Sequence, residues 1–152
     1  MLQKVTQKKI KARGGHFAIV ASTYNARYVD AMLRAAKTEI LRAGGTVKIV
    51  RAPGAYEIPV VAARLGRAKI FSAIICLGVI LRGATTHAQH IGEAVSNALV
   101  QIQIQHEVPV IHEVLLLENE QQAKERCLSR THNRGTEAAQ TALAMARVMR
   151  AL

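Results

Sequence analysis

The sequence predicts a three-layer α/β/α domain, a parallel sheet covered by helices on both faces. Three observations carry that expectation. Short apolar runs of strand length alternate with stretches whose apolar residues recur at helical spacing, four times along the chain. The connections are short, and strand–helix alternation of this kind favours parallel pairing through helical crossovers. The run from Ile70 to Leu77 is almost continuously apolar, as expected for a strand buried on both faces. With 152 residues, half of them hydrophobic, the chain can fill one ordinary core.

The elements follow in order. His16 to Ala21 makes the first strand and ends in the polar turn Ser22-Thr23-Tyr24-Asn25. Val29, Leu33, Ala36 and Ile40 mark one face of the first helix, which Gly44-Gly45 stops. Val47 to Val50 is the second strand, broken by Pro53-Gly54. A second helix is expected from about Glu57 to Leu65, with Pro59 confined to its first turn. The third strand, Ile70 to Leu77, ends at Gly78. After a polar loop, Ile91, Val95, Ala98 and Ile102 define the third helix. Val108 to Leu117 is the fourth strand, and a short helix should run from about Glu120 to Leu128. Beyond Asn133-Arg134-Gly135, the residues Ala138, Ala142, Met145 and Met149 make the last helical face. Residues 1–15 read as a basic tail and residues 16–152 as the domain.

Composition narrows the function classes. Twenty-one Lys and Arg against ten acids leave a formal charge of +11, which favours anionic partners. The dense run Lys4, Lys8, Lys9, Lys11 and Arg13 reads as a solvated arm, with a nucleic-acid-binding arm as the alternative. No interleaved aromatic platform or recognition helix supports nucleic acid as a partner. Cys76 and Cys127 are far apart and give no disulfide framework. No apolar stretch approaches the ~18 residues that span a bilayer, so no membrane partner is expected. A cytoplasmic protein is the default, with a transit peptide as the alternative reading of the acid-poor N-terminus.

In an open parallel sheet, ligands sit outside the carboxyl ends of the strands. That rule selects the loops 22–25, 53–57, 78–87 and 112–118. In the third, Gly83-Ala84-Thr85-Thr86 leads into a helix, where backbone N–H groups and hydroxyls make an anion cradle. His87 stands at the same mouth and can exchange protons near neutral pH. Together these suggest chemistry on a phosphorylated metabolite; the plainer reading is a capped helix start with a surface histidine. Tyr24 could stack on a flat heterocycle or simply cover the sheet edge. In Pro53-Gly54-Ala55-Tyr56-Glu57, the glycine lets a ligand approach and Glu57 can accept hydrogen bonds from hydroxyls. Arg126 and Arg134 have the planar fork that suits phosphate, although a single arginine in so basic a chain is more often surface charge. His87, His90 and His112 lack a carboxylate or cysteine to complete a set, so no metal is expected. No other cofactor is expected either.

Four motifs in register resemble the lumazine synthase family: Pro53-Gly54-Ala55-Tyr56-Glu57-Ile58-Pro59, Leu77-Gly78 through Arg82-Gly83-Ala84-Thr85-Thr86-His87, Asn133-Arg134-Gly135 with Glu137-Ala138-Ala139, and Tyr24-Asn25. The similarity spans roughly residues 16–150. It implies a flavodoxin-like four-stranded domain, assembled at least into pentamers with active sites between subunits. It also implies condensation of 5-amino-6-ribitylaminouracil with 3,4-dihydroxy-2-butanone 4-phosphate, without a cofactor. Carried over, Tyr24 would stack on the pyrimidine, with Asn25 beside it among the substrate-binding residues. Ala55, Tyr56, Glu57, Val79, Ile80 and Leu81 would line the pyrimidine and ribityl pocket. Ala84 and Thr85 would hold the butanone phosphate, Arg126 would reach it from a neighbouring subunit, and His87 would shuttle protons. The resemblance also brings His112 and Arg134 to the substrate. The family usually has Phe-Gly where this chain has His112-Glu113, and Lys is commoner at Arg134. His112-Glu113 supports the alternative of a catalytically weak lumazine- or flavin-binding relative.

Overall fold

The computed structural model describes residue 4 and residues 15–152. The basic run at Lys8, Lys9, Lys11 and Arg13, and with it the expected tail, lies outside the described residues. Four parallel strands form one sheet in the order β2-β1-β3-β4: β1 His16–Ser22, β2 Thr46–Ala52, β3 Ala73–Leu81 and β4 Val110–Leu117. The main helices are α1 Ala26–Arg42, α2 Ile58–Arg67, α3 His87–His106 and α5 Arg134–Arg150, with a single turn, α4, at Glu120–Ala123. This is the flavodoxin-like three-layer architecture.

Side-chain alternation along the two central strands builds both cores. Phe17, Ile19, Ala21, Ile75, Leu77 and Val79 project to one face and are covered by α1 and α5. Ala18, Val20, Ile74, Cys76 and Ile80 project to the other, under α2 and α3. A strand flanked on both sides and covered on both faces has no polar position to spare, hence the unbroken apolar sequence of β3. On α1 the buried residues Val29, Met32, Ala36 and Ile40 recur at helical spacing, and the Gly45 N–H closes its end on the Ile40 carbonyl. Small residues on α5 let it lie close to α1. Gly135 marks the tightest point, where a Cβ would stand 2.1 Å from the Met32 carbonyl oxygen.

Several boundaries differ from the sequence expectation. β3 begins at Ala73, three residues later than expected, and does not stop at Gly78. It continues to Leu81 because β4 pairs with it all the way, from Ile74↔Val110 to Leu81↔Leu117. A glycine in a strand with an intact neighbour is a site of close packing, and Gly78 fits tightly between Val114 and Ile58. For the same reason residues 112–117 belong to β4 and are not a loop. The helix expected over 120–128 divides into α4 and a π-helical turn, Lys124–Leu128.

Candidate active site

β1 sends its crossover helix toward β2, whereas β3 sends its own toward β4, so the direction in which strands are added to the sheet reverses between β1 and β3. Ligands of doubly wound sheets sit outside the strand ends at such a point. A cleft of about 960 Å³ opens there. Its walls come from three strand ends: Tyr24 and Asn25 after β1, Gly54 to Glu57 after β2, and Val79 to Leu81 with Gly83, Thr85 and His87 after β3.

Hydrogen bonds among these loops build the cleft without a ligand. The N–H groups of Thr23 and Tyr24 donate to the Pro53 carbonyl at 3.2 and 3.0 Å, joining the first two loops. Pairing of β1 with β3 ends at Ala21↔Leu77, so β3 beyond that point lacks a strand partner on one side. There Asn25, at φ 58, donates its Nδ2 to the Val79 carbonyl at 2.7 Å. Its short polar side chain tolerates the left-handed backbone and satisfies the orphan carbonyl together. In the second loop, the Gly54 N–H donates to Glu57 Oε2 at 3.0 Å. A Cβ at Gly54 would sit 2.9 Å from that oxygen, which is why the turn needs glycine. Among the described residues, Glu57 Oε1 makes no hydrogen bond.

Tyr24 and Tyr56 are 73% and 65% exposed, so each offers an aromatic ring that the described residues leave largely uncovered. At the base of the third loop, α3 starts with Thr86 as a cap whose side chain bonds none of the helix's backbone N–H groups, and its first turn carries no acid. The His87 N–H donates only in a long contact, 3.4 Å, to the Thr85 hydroxyl oxygen. Such a helix start presents backbone donors to an anion. The His87 ring makes no hydrogen bond among the described residues. His90, one turn on, also lines the cleft, with Nε2 3.2 Å from the Thr86 hydroxyl.

Of the residues predicted from sequence, Tyr24, Asn25, Ala55, Tyr56, Glu57, Val79, Ile80, Leu81, Thr85 and His87 meet in this cleft. Ala84 lies in the same loop without lining it. His112, Arg126 and Arg134 are elsewhere. His112 Nδ1 accepts from the Val114 N–H at 3.1 Å, so its proton sits on Nε2, 2.7 Å from the Ser96 hydroxyl, which donates to the Gly92 carbonyl. Desolvation lowers the pKa of His112 and keeps the imidazole neutral. This serine–histidine pair therefore lacks the free basic nitrogen a nucleophilic dyad requires. Arg134 is held by Glu113 and Glu137. Arg126, in the π turn, makes no hydrogen bond or ion pair among the described residues. Cys76 and Cys127 are buried thiols, each pushed up to about 12 chiefly by removal from water, so neither supplies a thiolate. His90, Ile91 and Ala94 line the cleft without having been singled out for it. Their helical spacing on α3, counted from His87, is the signal that finds them. Among the described residues no group of three metal-ligating side chains is assembled, and no helix is long and apolar enough to cross a membrane.

A switch-point cleft with exposed aromatic faces, an uncapped helix start and an unbonded imidazole defines an α/β enzyme domain for small, partly anionic metabolites. Comparison with known proteins makes the class specific. Residues 14–150 match the family model described as 6,7-dimethyl-8-ribityllumazine synthase. Proteins of that name from Desulfotalea psychrophila and Aquifex aeolicus are 38% and 36% identical to it, covering 94% of both chains in the first case and 98% of this chain and 99% of the relative in the second. One from Clostridium kluyveri is 33% identical with 98% and 99% coverage. The chain belongs to the 6,7-dimethyl-8-ribityllumazine synthase family, the enzymes that make the lumazine precursor of riboflavin.

Proposed function

We propose that the cleft condenses 5-amino-6-(D-ribitylamino)uracil with 3,4-dihydroxy-2-butanone 4-phosphate to 6,7-dimethyl-8-ribityllumazine, releasing phosphate and water. The observation that carries the reading is the meeting of an aromatic face, a strand edge, an anion-ready helix start and a proton-exchanging imidazole in one preformed cleft. Tyr24 stacks on the pyrimidine. Beyond its last pairing with β1, the strand edge from Val79 to Leu81 offers peptide groups to the ring's carbonyl and N–H edge. Ala55, Tyr56 and Glu57 line the ribityl chain, and Glu57 Oε1 accepts from its hydroxyls. The butanone phosphate lies at the start of α3 beside Ala84 and Thr85. His87 takes up and returns protons as the amine adds to the ketone and water leaves to form the imine, the C–O bond to phosphate breaks, and the ring closes with loss of a second water.

Arg126 supplies the guanidinium for the phosphate from a neighbouring subunit, where His112 also faces the bound ring. Two features support a homo-oligomer with shared sites: Arg126 has no hydrogen bond or ion pair among the described residues yet lies outside its own chain's cleft, and α3 exposes Val100 and Ile104. The substrates are soluble metabolites, and the enzyme works on them in the cytoplasm. The synthase name of its relatives favours turnover over mere ligand binding. Incubation with both substrates should give the fluorescent lumazine. Tight lumazine binding without any product would overturn the catalytic reading.

A further inference from the structure

The side chains around the start of α5 form a network that the cleft does not use. Arg134 commits all three guanidinium nitrogens inside its own chain: Nε and Nη2 donate to the two oxygens of Glu113 at 3.1 and 3.2 Å, and Nη1 donates to Glu137 at 3.1 Å. Glu113, on β4, is only 6% exposed. A carboxylate so buried cannot be left without its cation cheaply, so Arg134 is not free to turn toward an outside anion. The charge of Arg134 is itself secure, since the neighbouring carboxylates outweigh the burial that works against it.

The residue next to Arg134 in the chain, Asn133, holds the segment in front of it. Asn133 accepts the Gly135 N–H at 2.8 Å, capping α5, and donates Nδ2 to the Cys127 carbonyl at 2.7 Å. The loop from Cys127 to Asn133 is thereby closed on itself at the end of the π turn. Gly135 fixes the other side, because its contact with the Met32 backbone leaves α5 no room to shift toward α1. Arg126 stands one residue before Cys127, at the edge of this clamped loop.

We infer that Glu113 and Arg134 are a positioning pair, which holds the loop presenting Arg126 while Arg134 itself takes no substrate anion. This rests on the reading of Arg126 as the phosphate ligand. It assigns to this chain one anion-binding arginine in the region, where the sequence suggested two.

Steady-state kinetics of the assembled enzyme test it with Arg126→Gln, Arg134→Gln, Arg134→Lys, Glu113→Gln and the Glu113→Gln/Arg134→Gln double variant. Inorganic phosphate serves as a second probe, by direct binding. Arg126→Gln should raise KM for the butanone phosphate about tenfold or more, the loss of one charged contact. Arg134→Gln and Glu113→Gln should each raise it by a smaller, similar factor with kcat little changed, and the double variant should be no worse than either single one. Arg134→Lys, which keeps the charge but not the fork, should fall between wild type and Arg134→Gln. The inference is overturned if Arg134→Gln matches Arg126→Gln while Glu113→Gln leaves KM unchanged, since Arg134 would then touch the anion. It is equally overturned if the pair's variants lose thermal stability with no change in KM or phosphate affinity. Should the wild type bind phosphate but make no lumazine, the functional reading fails, and the phosphate isotherms still decide the role of the pair.

Discussion

At His87 the imidazole reaches the cleft with no hydrogen bond to its ring among the described residues, and it is the group proposed to exchange protons with the substrates. His87→Ala should therefore slow turnover by roughly 10- to 100-fold, at or below the low end for a positioned acid–base group, with smaller changes in KM. A side chain that only capped α3 would change stability and leave kcat alone. Asn25 does different work. Its amide joins the first loop to the end of β3 through the Val79 carbonyl, 2.7 Å away, and its backbone is left-handed. Glycine keeps that backbone but loses the bond, so Asn25→Gly should cost about 1 kcal/mol. Asn25→Ala should cost roughly 2 kcal/mol or more, because it adds backbone strain. Urea midpoints for the two variants check this; equal midpoints would mean that the left-handed turn is not under strain. The aromatic and the histidine were legible from sequence because few residue types do what they do. The amide's real partner was not, since it lies 54 positions away.

The joint between β4 and α5 turns on one buried carboxyl. Removal from water pushes Glu113 up to about 7, against the pull of Arg134 and with a further push from Glu137. The folded state therefore binds a proton that the unfolded chain releases near its ordinary value of 4.5. Between those values stability falls as pH rises, and above about 7 the loss is complete. The difference in unfolding free energy between wild type and Glu113→Gln should decline across this window by on the order of a few kcal/mol, then level off. A flat difference would show that Arg134 compensates fully. At the other end of the joint, Gly135→Ala would push a methyl group into the Met32 backbone and should destabilise by about 2 kcal/mol or more, read from thermal melts. The central strands were readable as short apolar runs because both of their faces are buried, and the long helices from periodicity because each buries one repeating face. Their ends were less so. Gly78 reads as punctuation, yet pairing with β4 carries the strand three residues further, and no local pattern marks the π turn at Lys124–Leu128. Ion pairs such as Arg134–Glu113 depend on which elements become neighbours, and spacing along the chain cannot supply that.

At the scale of the molecule, the fold gathers loops from three strand ends into one cleft whose lining does not include Arg126. That division predicts complementation between subunits. His87→Ala and Arg126→Gln proteins, each weak alone, should regain up to about a quarter of wild-type activity when denatured together and reassembled, because random mixing leaves that share of sites with both groups intact. No recovery would mean that each site is built within one chain. The parallel sheet and its ligand edge followed from strand–helix alternation, the strand order did not, and ten of the expected site residues on that edge line the cleft. Four expected residues lie outside its lining: Ala84 in the same loop, His112 and Arg134, whose side chains are paired within the chain, and Arg126. The most direct test of the central claim is the two-substrate assay, following lumazine fluorescence with wild type and His87→Ala side by side. The account predicts enzyme-dependent product with the wild type and a clear loss of rate in the variant. Product formation no faster than in the absence of enzyme, or an unchanged rate on removal of His87, would contradict it.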